Sequence, residues 1–211
     1  MSKVTPVTPE YWAEACAHLS RKDRVMKKLI PQFGDAILES RGDAFVTLAR
    51  SIVGQQISVK AAQSVWDKCS KLSRKLTPAG VLKLKGDDMR AAGLAARKVE
   101  YLVDLALHFD SGTVHVKQWQ GMDDEAIIAE LVAIRGIGRW TAEMFLIFHL
   151  MRPNVLPLDD GGLINGISRN YFSREPVSRS DAREVAQAWS PYCPVATGYI
   201  RRSLDPVPVA Y

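Results

Sequence analysis

Residues 131–163 read LVAIRGIGRWTAEMFLIFHLMRPNVLPLDDGGL, and this stretch decides the fold. Ile127, Ile128, Leu131 and Val132 lie on one stripe at helical spacing, so a helix leads into it. Gly136-Ile137-Gly138 follows, and then a second, strongly apolar helix. A Gly-x-Gly between two helices predicts a tight hairpin, because glycine accepts positive φ and leaves no Cβ in the way of an approaching chain. The backbone N–H groups of the new helix point outward with the positive end of the helix dipole behind them, which makes an anion site suited to a phosphate. Arg139 adds a charge at the rim. Taken as three residues alone, GIG reads as an ordinary helix–turn–helix connection.

The same periodicity extends in both directions. From Asp43, the positions Phe45, Leu48, Ile52 and Val53 fall on one stripe, and Ala61, Ala62, Val65 and Trp66 continue it after Gly54. Val99, Leu102, Val103, Ala106 and Leu107 form another. Thr77-Pro78 and Asp123-Asp124-Glu125 open helices with a cap or an acidic first turn. Stops are expected at Gly42, Gly86, Gly93, Gly121, Gly136 and Pro153. No segment sustains the apolar–polar alternation of a half-buried strand. The expected fold is all-α and two-lobed: about 1–40 with 160–211 in one lobe, 41–159 in the other, and the helix-hairpin-helix at 124–150.

Composition sets wide bounds. The chain has 211 residues, 47% hydrophobic and 24% charged, which suits a globular protein with a real core. A net charge of +5 permits a polyanion partner without requiring one. The most apolar run, MFLIFHLM at 144–151, is far shorter than the roughly 18 residues of a membrane span, so no membrane role is expected. The first ten residues are polar, with two prolines, unlike a secretory signal. Cys16, Cys69 and Cys193 are scattered, and the four histidines show no ligand spacing, which disfavours disulfides and zinc or iron–sulfur sites. A reducing, intracellular location fits: the cytoplasm, or the nucleus in a eukaryote.

The wider pattern makes the hairpin specific. Leu131, Ile134, Gly136, Ile137, Gly138, Thr141 and Ala142, followed by Pro157, Asp159 and Asp160, resemble the hairpin and Pro-x-Asp segment of the HhH-GPD DNA glycosylase superfamily. Three further segments look like its 3-methyladenine DNA glycosylase II (AlkA-like) branch, in the short form without an N-terminal β-domain. They are SIVGQQIS at 51–58, LAARKVEYL at 94–102 and WSPY at 189–192.

The resemblance implies an enzyme that rotates a damaged nucleotide out of double-stranded DNA and cuts its N-glycosidic bond. It assigns the catalytic carboxylate to Asp160, with Asp159 the lesser candidate, and capping of the next helix as the alternative use of either. Trp140, Tyr192 and Met144 would line the base pocket. Met144 and Gly161 stand where better-known members carry aromatics, which thins that lining. Gln56 would fill the gap in the duplex, with Gln55 as alternative. Gly136, Ile137, Gly138, Arg139, Thr141 and Lys98 would meet the DNA backbone, with Arg97 beside Lys98. The run Lys60, Lys68, Lys71, Arg74 and Lys75 is either nonspecific DNA attraction or a solvated helix face. The carbonyls of Val132, Ile134 and Gly136 would hold a structural Na+ or K+, and no cofactor is needed for catalysis.

Bifunctional members carry a Schiff-base lysine where this chain has Trp140, so a monofunctional hydrolase acting as a monomer on alkylated purines is expected. A glycosylase for a deaminated purine or uracil is the enzymatic rival. A helix-hairpin-helix DNA-binding protein whose aspartates only cap is the non-enzymatic one.

Overall fold

The structure is a computed structural model that describes residues 9–34, 43–73 and 75–204. The expected stop at Gly42 and the basic residue Arg74 lie outside the described residues. The described chain is helical and contains no strand. Its helices are α1 (Trp12–Lys22), α2 (Met26–Phe33), α3 (Ala44–Gly54), α4 (Val59–Cys69), α5 (Pro78–Leu82), α6 (Gly86–Ala91), α7 (Ala96–Asp110), α8 (Asp124–Val132), α9 (Arg139–Phe148), α10 (Gly161–Tyr171), α11 (Arg179–Ala186) and α12 (Cys193–Arg202). Single 3-10 turns occur at Trp119–Gly121 and Gln187–Trp189.

Asp43, Thr77 and Asp123 cap α3, α5 and α8 by accepting from the N–H groups of Val46, Gly80 and Ala126. Two local expectations fail. Gly86 opens α6 instead of ending a helix, because Asp87 and Asp88 in the first turn complement the positive end of the dipole. The stripe through Ala61, Ala62, Val65 and Trp66 is buried only at Trp66, with Cys69 beyond it, since the first turn of α4 continues an exposed loop.

The chain divides into two compact units, 1–40 with 146–211 and 41–145. The second crossing falls inside α9 instead of just before Asp160. Local bonds account for this. Tyr11 Oη donates to Met151 O and Cys193 Sγ donates to Asn154 Oδ1, so the loop after α9 is tied to the unit of the chain ends at residues 151 and 154.

In the end unit, α12 is buried along most of its length, from Cys193 to Ile200, and packs on α2 and α10. A Cβ on Gly166 would lie 2.3 Å from Ile200 Cγ2 and 3.0 Å from Ile200 O, so glycine there lets α10 and α12 cross closely. Buried Asp23 accepts from Tyr171 Oη and Trp189 Nε1. In the central unit, α7 packs against α3, α5 and α6, and Phe45, Phe109, Trp119 and Phe145 form a chain of edge-on ring contacts.

Candidate active site

The hairpin lies in the central unit and is built as the sequence predicts. Gly136 adopts φ 84°, and a Cβ there would lie 2.3 Å from the ring of Tyr101, so glycine is required twice over. Ile137 is buried and its N–H donates to Ile134 O, closing the turn. A Cβ on Gly138 would meet nothing within 4 Å, so that face of the turn is open. Helix α9 begins at once, with the Ala142 N–H donating to Gly138 O.

The side chains around the hairpin do other work than expected. Arg139 Nε donates to Glu143 and its Nη1 donates to Glu125 in the first turn of α8, so it staples the two helices together. Its hydrogen bonds to Glu125 hold the guanidinium pKa above its ordinary value. Thr141 is buried on the packed face of α9. Neither is presented as a free phosphate ligand. Lys98 Nζ donates to the carbonyls of Val53 and Gln55 at 2.7 Å each, which satisfies the negative end of α3, and burial lowers its pKa. Arg97 beside it is exposed.

The two glutamines separate clearly. Gln55 Nε2 donates to Gly136 O at 2.8 Å, so it ties the α3–α4 loop to the hairpin and is not presented as a plug. Gln56 has φ 57° and is exposed, beside exposed Ile57 and Val59. For the expected cation, the Gly136 carbonyl accepts from Gln55 and the Ile134 carbonyl from Ile137. Each carbonyl keeps a second lone pair, and neutral oxygens suit a singly charged ion, so the donor set is compatible with Na+ or K+.

Asp160 belongs to the end unit and is 3% exposed. Its Oδ1 accepts from the Leu163 N–H at 2.8 Å and caps α10, while its Oδ2 accepts from Arg201 Nη1 at 2.9 Å. Capping and a charged partner therefore fall on the same aspartate. Asp159 is more exposed and pairs with Arg179. The sequence held no signal for Arg201, which lies 41 residues further on.

The expected pocket residues are not alike. Trp140, in the central unit, is 36% exposed, unusual for so large an apolar side chain. Met144 is buried one turn further along α9. Tyr192, in the end unit, is buried, stacks on Tyr11 at 6.0 Å and meets the edge of His18. A hydrogen bond to Glu14, then burial, raises its pKa. Tyr192 and Met144 are buried in this structure, and Trp140 is the partly exposed one of the three. Among the described residues no group of three or more His, Cys, Asp or Glu could hold a metal ion, and no helix is long and apolar enough to cross a membrane. None of the three cysteines is in a disulfide.

A helical pair joined by an open Gly-x-Gly turn, followed along the chain by a buried aspartate at a helix N-terminus, defines a class of DNA repair proteins. The chain belongs to the HhH-GPD superfamily of base excision DNA repair proteins, whose model matches residues 49–191. It is 34% identical over 167 residues to DNA-3-methyladenine glycosylase 1 of Schizosaccharomyces pombe, covering 75% of this chain and 72% of that one. It is also 34% identical over 128 residues to the Bacillus subtilis protein YfjP, of which the match spans 45%. Among solved structures, a DNA-3-methyladenine glycosidase from Bacillus halodurans superposes with a TM-score of 0.84 at 30% identity, covering 94% of this chain and 90% of that one. A Schizosaccharomyces pombe 3-methyladenine DNA glycosylase in complex with abasic DNA gives 0.80 at 26% identity, covering 94% and 100%.

Proposed function

We propose that the protein is a monofunctional DNA glycosylase of the 3-methyladenine type II class. It hydrolyses the N-glycosidic bond of alkylated purines in double-stranded DNA and has no lyase activity. The observation that carries the reading is the buried Asp160 carboxylate, held by a helix N-terminus and by Arg201 within a chain of this superfamily. The names of the similar yeast and bacterial proteins support the choice of alkylated purines.

The chemistry follows from the groups. Departure of the base leaves an oxocarbenium-like sugar, and a fixed carboxylate beneath it offsets the positive charge. N-alkylated purines carry positive charge and leave as neutral bases, so a loosely fitting pocket suffices. The partly exposed indole of Trp140 attracts such a ring by stacking and cation–π interaction, worth about 0.5–2 kcal/mol. The indole offers no amine for a Schiff base, so the product is an intact abasic site. The turn at Gly138 and the N-terminus of α9 take a phosphate, with a Na+ or K+ held by the carbonyls of Val132, Ile134 and Gly136. Exposed Gln56 fills the gap left by the flipped nucleotide. The enzyme acts as a monomer in the compartment that holds the DNA.

Duplex DNA methylated with dimethyl sulfate tests the reading. Wild type should release 3-methyladenine and 7-methylguanine, while Asp160→Asn should bind the DNA and release neither. Release of uracil or hypoxanthine alone, from duplexes carrying those bases, would assign another lesion. No release from any substrate would leave a DNA-binding module. Borohydride should trap no covalent adduct, and an adduct would overturn the monofunctional assignment.

A further inference from the structure

We propose that Arg201 is a positioning residue for the reaction: it fixes the plane of the Asp160 carboxylate so that its remaining lone pairs meet the sugar. The proposal rests on Asp160 as the catalytic carboxylate. Three observations carry it.

The first is that each carboxylate oxygen has its own tether. The cap from Leu163 N–H holds Oδ1, and one hydrogen bond still lets the rigid carboxylate rock as a unit about the Cβ–Cγ bond. Arg201 Nη1 pins Oδ2 at 2.9 Å. The Asp160 side chain is 3% exposed and that of Arg201 20%, so water competes little for the pair.

The second is electrostatic. Arg201 pairs with the residue that caps α10, so its cation sits beside a helix N-terminus, the end of a helix that disfavours positive charge. The dipole of α10 gives no reason for a cation there; the carboxylate does, and the last turn of α12, which carries Arg201, tolerates the charge.

The third is that the fold makes room for the contact. A Cβ on Gly162 would lie 3.1 Å from Arg201 Nε and 3.0 Å from Asp160 Oδ1. The crossing at Gly166 brings Ile200 against α10, and Arg201 is the next residue on α12. Two glycines in α10 thus admit one side chain to the first turn of the helix. Arg201 passes no proton and supplies no charge that the transition state needs. Its contribution is geometry, and small misplacements of a catalytic group can cost on the order of 10²-fold in rate.

The test measures single-turnover release of 7-methylguanine from methylated duplex alongside the Kd for a duplex carrying a tetrahydrofuran abasic analogue. Arg201→Met should slow release by about 10- to 100-fold with Kd nearly unchanged, a loss confined to the chemical step, and should lower the melting temperature because Asp160 stays buried without its partner. Arg201→Lys should recover part of the rate, as a point charge without the guanidinium fork. If Arg201→Met does not fold, Gly162→Ala serves instead: its methyl crowds the contact without removing the charge and should lower the same rate constant. Release at the wild-type rate by Arg201→Met, or by Gly162→Ala where it stands in, overturns the proposal, and so does a loss that appears equally in Kd. Full activity of Asp160→Asn would instead overturn the reading of Asp160. Loss in Asp160→Asn with Arg201→Met unimpaired overturns the role of Arg201 alone.

Discussion

Gly136 and Gly138 flank one buried isoleucine and do different jobs. Gly136 is needed by the fold, because it has positive φ and lies against Tyr101. Gly136→Ala should destabilise the protein by about 1–3 kcal/mol from backbone strain, with the clash adding to that, read as a lowered urea midpoint. Gly138 has open space where a Cβ would go. Gly138→Ala should melt like wild type and yet bind duplex DNA about tenfold more weakly, a cost of roughly 1.4 kcal/mol, because the methyl keeps a phosphate from the turn. Unchanged affinity in Gly138→Ala would remove the hairpin from the DNA interface. Both glycines stand out in the sequence. That only one is demanded by packing depends on Tyr101, which lies 35 residues upstream and has no sequence relation to the turn.

At the scale of elements, polar side chains that read as DNA contacts tie helices together in this structure. Lys98 on α7 closes the carbonyl end of α3, Gln55 bridges the α3–α4 loop to the hairpin, and Arg139 staples α9 to α8. Lys98→Met should therefore cost about 1–3 kcal/mol of stability, because it leaves the carbonyls of Val53 and Gln55 without their donor. A chemical denaturation curve checks this, and a variant as stable as wild type but weaker on DNA would restore Lys98 to the phosphate contacts. Caps and stripes were legible from the sequence because they are local: Asp43, Thr77 and Asp123 each act on a residue three positions away. The long-range donors were not, since a lysine bound to a carbonyl has the same local sequence as one bound to phosphate.

For the molecule as a whole, the end unit carries two half-buried phenols, Tyr11 and Tyr171. Burial pushes Tyr11 up to about 12, and burial with a hydrogen bond to Asp23 pushes Tyr171 above its ordinary value. Below about pH 10 both are protonated whether the chain is folded or not. Between about pH 10 and 12 the unfolded chain releases protons that the folded one retains, so stability falls as pH rises. Urea midpoints should drop between about pH 10 and 12, and Tyr11→Phe should reduce that drop. An identical slope in the variant would show that Tyr11 ionises as readily folded as unfolded.

What the sequence determined by itself is the helical class, the hairpin at Gly136–Gly138 and the helix cap at Asp160. Each is written in periodicity, glycine spacing or a motif spanning a few turns, and local physics suffices to form it. Tertiary structure alone decided which charges are available to a ligand and which are consumed by the fold. Arg139 and Lys98 look like ligands in one dimension and are occupied in three, while Arg201 is silent in the sequence and touches Asp160. The physical reason is that an ion pair or a carbonyl cap depends on distance in space, and a chain brought back on itself through Gly166 creates distances that no spacing along it records.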